Sequence, residues 1–472
     1  MSADAKTTTR NDTNTNTDTG IDVERLNARA AEIAASESAR LLERTPQSKQ
    51  WFERALNSMP MGVGSSFQQG DPYPIYLTHG KGSRLWDVDG NEYVDTHGGF
   101  GCMVIGHAHP KVAEAITRAA HSGTHFAAPT PETVELAEVI CDRYDMEQLR
   151  FCNSGTESTM HAIRVARAYT GRDHVVKIEG SYHGHHDTVM FSVVPGADAL
   201  GGRDQPATTP MSLGTPKWLA DYTHVVPFND LTVLENLLDE RGGEIACLIL
   251  EPVMMNIGIA EPKPGYLQGL KDLLHRHGCV LIYDEVKTGT ALARGGAGER
   301  YGVRPDLTCV AKATFGGTPG AAFGGVREIM ATIEHGAAQQ GTFNGNPLVA
   351  AAALATLNDV LTPDAYVYLA QLGSRLATGC AKALADNRLP AHTVDLGAKG
   401  CVTYRPEPLT NYRDFLDTNL GLYAASYPWM VNRGVFLTPG DEEQWTLSVQ
   451  HNEADVDRYV DAFTDLCGAL TR

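Results

Sequence analysis

Residues 280–320 read VLIYDEVKTGTALARGGAGERYGVRPDLTCVAKATFGGTPG, and this stretch decides the fold. Two short apolar runs, 280–283 and 307–310, have the length and unbroken hydrophobicity of strands buried on both faces, the signature of a parallel sheet. Each is followed by a charged residue, Asp284 after the first and Lys312 just past the second. Small residues follow Lys312: Ala313, Thr314, Gly316, Gly317 and Gly320. In α/β sheets ligands bind outside the carboxyl ends of the strands. A carboxylate and an amine delivered to that edge, with glycines permitting close approach, mark a site for a charged, ring-shaped ligand.

Working upstream, residues 245–250 form a further apolar strand ending on Glu251-Pro252. From about residue 130 the pattern alternates in the βαβ manner. A helix is expected over 131–144. A strand at 149–152 leads into NSGTES and a helix through Tyr169, and a strand at 174–178 leads into GSYHGHHD. Residues 193–222 form a loop too long for a simple connector and are expected to be a lid or a site wall. Downstream lie QQGTFNGNP and an Ala-rich helix over 348–361. A smaller α/β unit follows, with helices near 364–387 and 453–469 and strands near 401–404, 435–437 and 445–449. The N-terminal part has helical spacing over 21–59 and a small antiparallel meander (76–77, 84–88, 93–94). A glycine-rich turn comes next, then a helix over 111–120. Residues 1–20, rich in Thr, Asn and Asp, are expected to be a disordered tail. The expected division is a tail over 1–20, an N-terminal segment of the small domain over 21–95, a large domain over 96–362 and a C-terminal small domain over 363–472.

The chain has 472 residues, 42% of them hydrophobic, enough for a large core. Its net charge of −18, from 39 basic and 57 acidic residues without a basic run, argues against nucleic acid and anionic membrane as partners. The 9 cysteines are scattered with no CxxC pair, several within apolar runs, and read as free thiols of a reducing cytosol. The N-terminus has no apolar stretch of the kind a secretory signal needs, and no run is long enough to span a bilayer. A cytoplasmic location is expected.

The chemistry that fits Asp284 and Lys312 is a lysine Schiff base on pyridoxal phosphate, with the aspartate facing the pyridine nitrogen. Asn153-Ser154-Gly155-Thr156, between a strand and a helix, offers a phosphate cup of backbone N–H groups and hydroxyls; an ordinary helix cap reads the same way. Tyr182 stands where an aromatic ring could stack on a planar cofactor or simply pack in the core. His183, His185 and His186 lack the spacing and co-ligands of a metal site. Thr342, in GTFNGNP, would not be selected alone.

Taken together, NSGTES, GSYHGHHD, LILEPV, LIYDEV, the Lys312 segment and GTFNGNP occur in the order and approximate spacing of class III pyridoxal-phosphate aminotransferases. The sequence resembles most the branch of glutamate-1-semialdehyde 2,1-aminomutase, through KGSRLWDVDGNEYVD, IGHAHP and YGVRPDLTCVAK. The resemblance spans roughly residues 50–465. It implies fold type I: a large domain with a mostly parallel seven-stranded sheet sandwiched by helices, plus a smaller α/β C-terminal domain. It implies that Lys312 holds the cofactor and shuttles a proton, that Asp284 binds the ring nitrogen, and that Ser154, Gly155 and Thr156 hold the phosphate. Tyr182 and Val286 would contact the ring, and Asn256 the phenolic oxygen. Thr342 would reach the phosphate of a neighbouring subunit, which makes the enzyme a homodimer with shared sites. Gln68, Phe100, His183 and Glu443 fall on the substrate side.

The sequence departs from that branch where substrate is held. Gln68 stands near the position of an arginine that grips a carboxylate, Phe100 replaces a tryptophan, and the lysine segment continues ATFGGTPG. Without that bidentate grip, a less polar amine is favoured. Arg294 is a candidate replacement cation. The first expectation is therefore a transaminase passing an amino group from a primary amine or amino acid to a keto acid or ketone. The alternative is an aminomutase working within one molecule. A racemase on the same scaffold, or a non-catalytic ligand-binding α/β protein, ranks lower.

Overall fold

The computed structural model describes residues 22–439 and 444–472. Residues 1–20 and Glu443, both given expectations above, lie outside the described residues.

The centre is a seven-stranded sheet. Its strands in chain order are β1 (Gln148–Cys152), β2 (His174–Ile178), β3 (Thr223–Val226), β4 (Ile245–Leu250), β5 (Val280–Asp284), β6 (Leu307–Val310) and β7 (Ala321–Gly325). Their order across the sheet is β1-β7-β6-β5-β4-β2-β3. Only β7 runs antiparallel to its neighbours, pairing with both β1 and β6. The other pairs are parallel, so six carboxyl ends share one edge.

Alternation along these strands builds two cores. Val176, Ile178, Leu248, Leu250, Leu281 and Tyr283 point to one face, covered by the helices Leu231–Arg241 and Tyr266–Arg276. Val175, Cys247, Ile249, Val280 and Ile282 point to the other, covered by the helix Gly155–Thr170. β4 is buried along its whole length. Each fully buried Val, Leu or Ile contributes about 1.5–3 kcal/mol, which is why the sheet edge can hold strained backbone.

The smaller unit is a three-stranded antiparallel sheet of His392–Asp395, Lys399–Thr403 and Gln444–Thr446. The helices Pro363–Asp386 and Glu453–Leu470 pack beside it. The N-terminal meander, Leu77–Lys81, Arg84–Asp87 and Glu92–Asp95, continues into Val435–Phe436 by parallel pairing. The helix Val23–Arg44 shares the third core with Leu420–Asn432. The helical spacing read over 21–59 is broken at Thr45-Pro46, because proline opens a second helix, Pro46–Ala55. β3, β7, His392–Asp395 and the helix Leu420–Asn432 were not expected.

Seven of the nine cysteines are buried. Among the described residues no helix is long and apolar enough to cross a membrane.

Candidate active site

The carboxyl edge of the sheet gathers the side chains that carry chemistry. After β1, Ser154 caps the helix Gly155–Thr170, its Oγ accepting from the Glu157 N–H at 3.2 Å. The first amides of a helix have no carbonyl partner within it, and the macrodipole favours an anion there. The cap reading and the phosphate-cup reading therefore coexist at one turn. Glycines leave the space open: a Cβ on Gly155 would meet Val286 at 3.0 Å, and one on Gly184 would lie 2.6 Å from Thr156 Oγ1. His185 Nδ1 bonds Thr156 Oγ1 at 3.0 Å.

Asp284, the last residue of β5, is buried. His183 Nδ1 lies 2.8 Å from its Oδ2, and the Val286 N–H donates to Oδ1 at 3.1 Å. A carboxylate only accepts, so Nδ1 carries the hydrogen. Among the described residues Nε2 of this buried histidine has no hydrogen-bond partner. His183, expected on the substrate side, is buried with its ring bonded to Asp284. His185 and His186 go to Thr156 and Thr159, so the three histidines have three separate partners.

Glu251, just past β4, is the residue the sequence reading passed over. Its Oε1 accepts from the Tyr182 N–H (3.0 Å) and from Asn256 Nδ2 (2.8 Å), and its Oε2 from the Met255 N–H (2.9 Å). One buried carboxylate thus fixes two residues that the resemblance placed on the cofactor. A carboxylate at a strand end, as at Asp284, was the available signal. Burial, then the Asp284 charge, pushes the Tyr182 phenol up, which sets Tyr182 beside Asp284. The turn is tied beneath by buried Lys177, which donates to the Ser181 and Phe191 carbonyls at 3.0 and 2.7 Å.

Lys312 is partly exposed and has φ +50°, a left-handed conformation rare for a non-glycine residue. Such strain costs about 1–3 kcal/mol and gathers at functional sites, held by the surrounding structure. Loss of water around the amine, then the Lys287 charge, lowers its pKa, while Cys102, Asp284 and Glu251 oppose the shift. A lysine with a lowered pKa is a better nucleophile at neutral pH. The donor set is the amides and hydroxyls of a helix N-terminus, the buried carboxylate of Asp284, an amide and an aromatic ring held by Glu251, and this amine. It fits a phosphorylated heterocyclic aldehyde.

The opposite wall comes from loops. Phe67 lies 5.9 Å from Phe100 and 5.6 Å, edge-on, from Tyr182, so three aromatic rings adjoin. Phe67 went unnoticed in the sequence because a lone aromatic in a Ser/Gln-rich loop carries no pattern. Gln68 is exposed on the short turn Ser66–Gln68. Phe100 sits in the turn Gly98–Gly101, where all four residues have positive φ. Arg294 is not part of this wall: its guanidinium pairs with Asp142 on the helix Pro131–Tyr144. Thr342 is exposed, and its loop is tied to the phosphate turn through Asn344, which accepts from Asn153 Nδ2 at 2.8 Å.

The family model for "Aminotransferase class-III" matches residues 66–402. A curated relative from Brevibacillus brevis, "Glutamate-1-semialdehyde 2,1-aminomutase 2", is 39% identical over 423 residues, covering 88% of this chain and 97% of that protein. Among solved structures, an omega-transaminase from Sphaerobacter thermophilus superposes with a TM-score of 0.84 at 33% identity, covering 90% of this chain and 97% of that one. A glutamate-1-semialdehyde-aminomutase from Pseudomonas aeruginosa PAO1, in complex with PMP, gives 0.88 at 28% identity, covering 96% and 100%.

Proposed function

The chain belongs to the class-III aminotransferases, with pyridoxal phosphate as its cofactor, and from that premise we propose that it exchanges an amino and a carbonyl group within one molecule, as an aminomutase of glutamate 1-semialdehyde. The observation that carries the reading is the near full-length likeness to proteins of that name, 39% identical along 97% of their length. The electrostatics support it: Lys287, Lys312 and Lys399 share one neighbourhood, which suits a substrate bearing a carboxylate.

Bound at this edge, the cofactor supplies an electron-accepting ring and a carbonyl that takes up the amino group. The chain's own residues do the rest. Ser154, Gly155 and Thr156 bind the phosphate at the helix N-terminus. Asp284, held by His183, keeps a proton on the ring nitrogen, without which the ring could not accept electrons. Glu251, which holds the Tyr182 backbone and the Asn256 amide, would position Tyr182 for the ring and Asn256 for the phenolic oxygen. Val286 fills the space against Gly155. Lys312 anchors the cofactor and moves the proton at the carbon that gains or loses the amino group, acting as general base and then acid.

A second reading, transfer between a separate amine and a keto acid or ketone, is favoured by Gln68 and by the wall of Phe67, Phe100 and Tyr182, which suits an apolar amine. The deciding experiment offers the loaded enzyme glutamate 1-semialdehyde alone, or 1-phenylethylamine with pyruvate. Formation of 5-aminolevulinate without an external acceptor supports the mutase; turnover of the plain amine and none of the semialdehyde overturns it.

The protein is further proposed to work as a homodimer, Thr342 of each subunit completing the other's phosphate site. Exposed Thr342 and Phe343 on one loop support this. A monomer with full activity in sedimentation and assay would refute it. The free thiols suit a reducing compartment, and a cytoplasmic location is part of the same proposal.

A further inference from the structure

If the substrate carries a carboxylate, a cation must receive it, and Gln68 provides none. Lys399 opens the strand Lys399–Thr403 of the smaller sheet and is 2% exposed. Its Nζ donates to Thr446 Oγ1 at 2.8 Å, across the pair Lys399↔Thr446. The turn Gly98–Gly101 lies directly on this pair. A Cβ on Gly98 would come 2.7 Å from the Thr446 side chain, and one on Gly101 would collide with Nζ. The same turn presents Phe100 to the substrate wall. The amine thus lies against the turn that carries Phe100, and its only hydrogen bond among the described residues is to a hydroxyl.

A buried ammonium with a neutral partner is unfavourable until an anion joins it. The charged and titratable groups around it are themselves basic or neutral: Lys287 from the loop after β5, Lys312 from the end of β6, and His97 and Cys102 flanking the turn. Burial first, then Lys287 and Lys312, brings Lys399 down to about 7. His97, pushed to about 4 chiefly by burial, is uncharged at neutral pH and does not compete for an anion.

We propose that Lys399, backed by Thr446 beneath the Phe100 turn, supplies the positive charge that receives the substrate carboxylate in place of an arginine at Gln68. This rests on the reading that the substrate bears a carboxylate. It predicts a pH signature. The charged amine persists below its pKa and is lost as pH rises through it, so carboxylate affinity falls from pH 6.5 to 8.5.

The test uses the pyridoxal-phosphate-loaded enzyme and levulinate, a carboxylate with no amino group, titrated by calorimetry at both pH values. Lys399→Met is expected to weaken levulinate roughly tenfold to a hundredfold, the range for a hydrogen bond to a charged group, and to flatten the pH dependence. Lys399→Arg, which keeps the charge, should restore most of the affinity. In turnover, the ratio of kcat/KM for the semialdehyde over 1-phenylethylamine should fall in Lys399→Met. Should Lys399→Met merely misfold, Thr446→Val and the wild-type pH profile still read the effect. Unchanged levulinate affinity and pH profile in Lys399→Met, or equal losses for acid and plain amine, would overturn the proposal. A wild type that turns over only plain amines, yet loses levulinate on Lys399→Met, would refute the mutase reading and leave Lys399 standing.

Discussion

The two halves of the site are built on different principles. The proposed cofactor half stands on strand ends: Asp284 terminates β5, Glu251 follows β4, and Lys312 follows β6. Its two carboxylates are buried and interlocked, Asp284 with His183, and Glu251 with Tyr182 and Asn256. The substrate half stands on loops and turns. Phe67 and Gln68 are exposed, Phe100 rides a turn of four positive-φ residues, and Lys399 comes from another sheet. Rigid sheet geometry places the groups every member of the fold needs, whereas loops carry what changes between substrates.

If that division holds, damage should be largest and least selective in the cofactor half. Lys312→Ala removes the residue proposed as both the anchor and the proton carrier. Amino transfer is expected to fall by roughly a million-fold, of the order seen when a covalent catalytic residue is lost. Stopped-flow absorbance of the amine half-reaction measures this, and residual activity within tenfold of wild type would break the comparison at its root. Asp284→Ala comes next, with a loss of several orders of magnitude expected because the ring can no longer accept electrons. His183→Phe leaves the carboxylate in place but unsupported, so a milder loss, about tenfold to a hundredfold, is expected in kcat or cofactor affinity. Equal defects in the two variants would mean that His183 does more than orient Asp284.

The same division explains what the sequence disclosed. Asp284 and Lys312 could be singled out because each follows a short, mostly apolar run, and a strand end is a place that periodicity can find; the Ser154 turn follows the mixed run LRFC and drew notice through its own Asn-Ser-Gly-Thr composition. Glu251 had the same signature, but its role needs its partners, which lie 69 residues upstream at Tyr182 and 5 downstream at Asn256. β7 escaped because AAFGG reads as loop until it is seen filling the gap between β1 and β6. The helix Leu420–Asn432 escaped because Pro428 sits inside it and its apolar residues face all ways. Lys399 was invisible: one lysine in GAKGCVTY carries no pattern, and its meaning comes from the turn laid over it. The bond from His183 to Asp284 was not legible either, because its partner lies 101 residues downstream.

In the substrate half, effects should be smaller and selective. Phe67→Ala removes the ring that touches both Phe100 and Tyr182. Such aromatic contacts contribute about 0.5–1.5 kcal/mol each beyond the area they bury, so a change of roughly tenfold in KM for an aryl amine is expected, with kcat for the semialdehyde nearly preserved. A uniform fall in kcat for both substrates would show that Phe67 supports the cofactor through Tyr182, and that the two halves are not separable there.

The finest effect lies where the halves meet, at Lys287. Its amine donates to the Met255 carbonyl at 3.3 Å, beside the residues Glu251 organises, and it is the largest charge acting on Lys312 after burial itself. A neighbouring cation disfavours the protonated form, so Lys287 lowers the Lys312 pKa, and Lys287→Met must raise it. Only the neutral amine attacks a carbonyl. The rate at which apoprotein captures pyridoxal phosphate should therefore rise with pH through a midpoint that lies higher in Lys287→Met than in wild type. The plateau at high pH should be the same for both, because there the amine is neutral whatever its neighbour. A midpoint that moves down, or a plateau that drops while the midpoint stays, would assign Lys287 to holding substrate or loop rather than to tuning the catalytic amine.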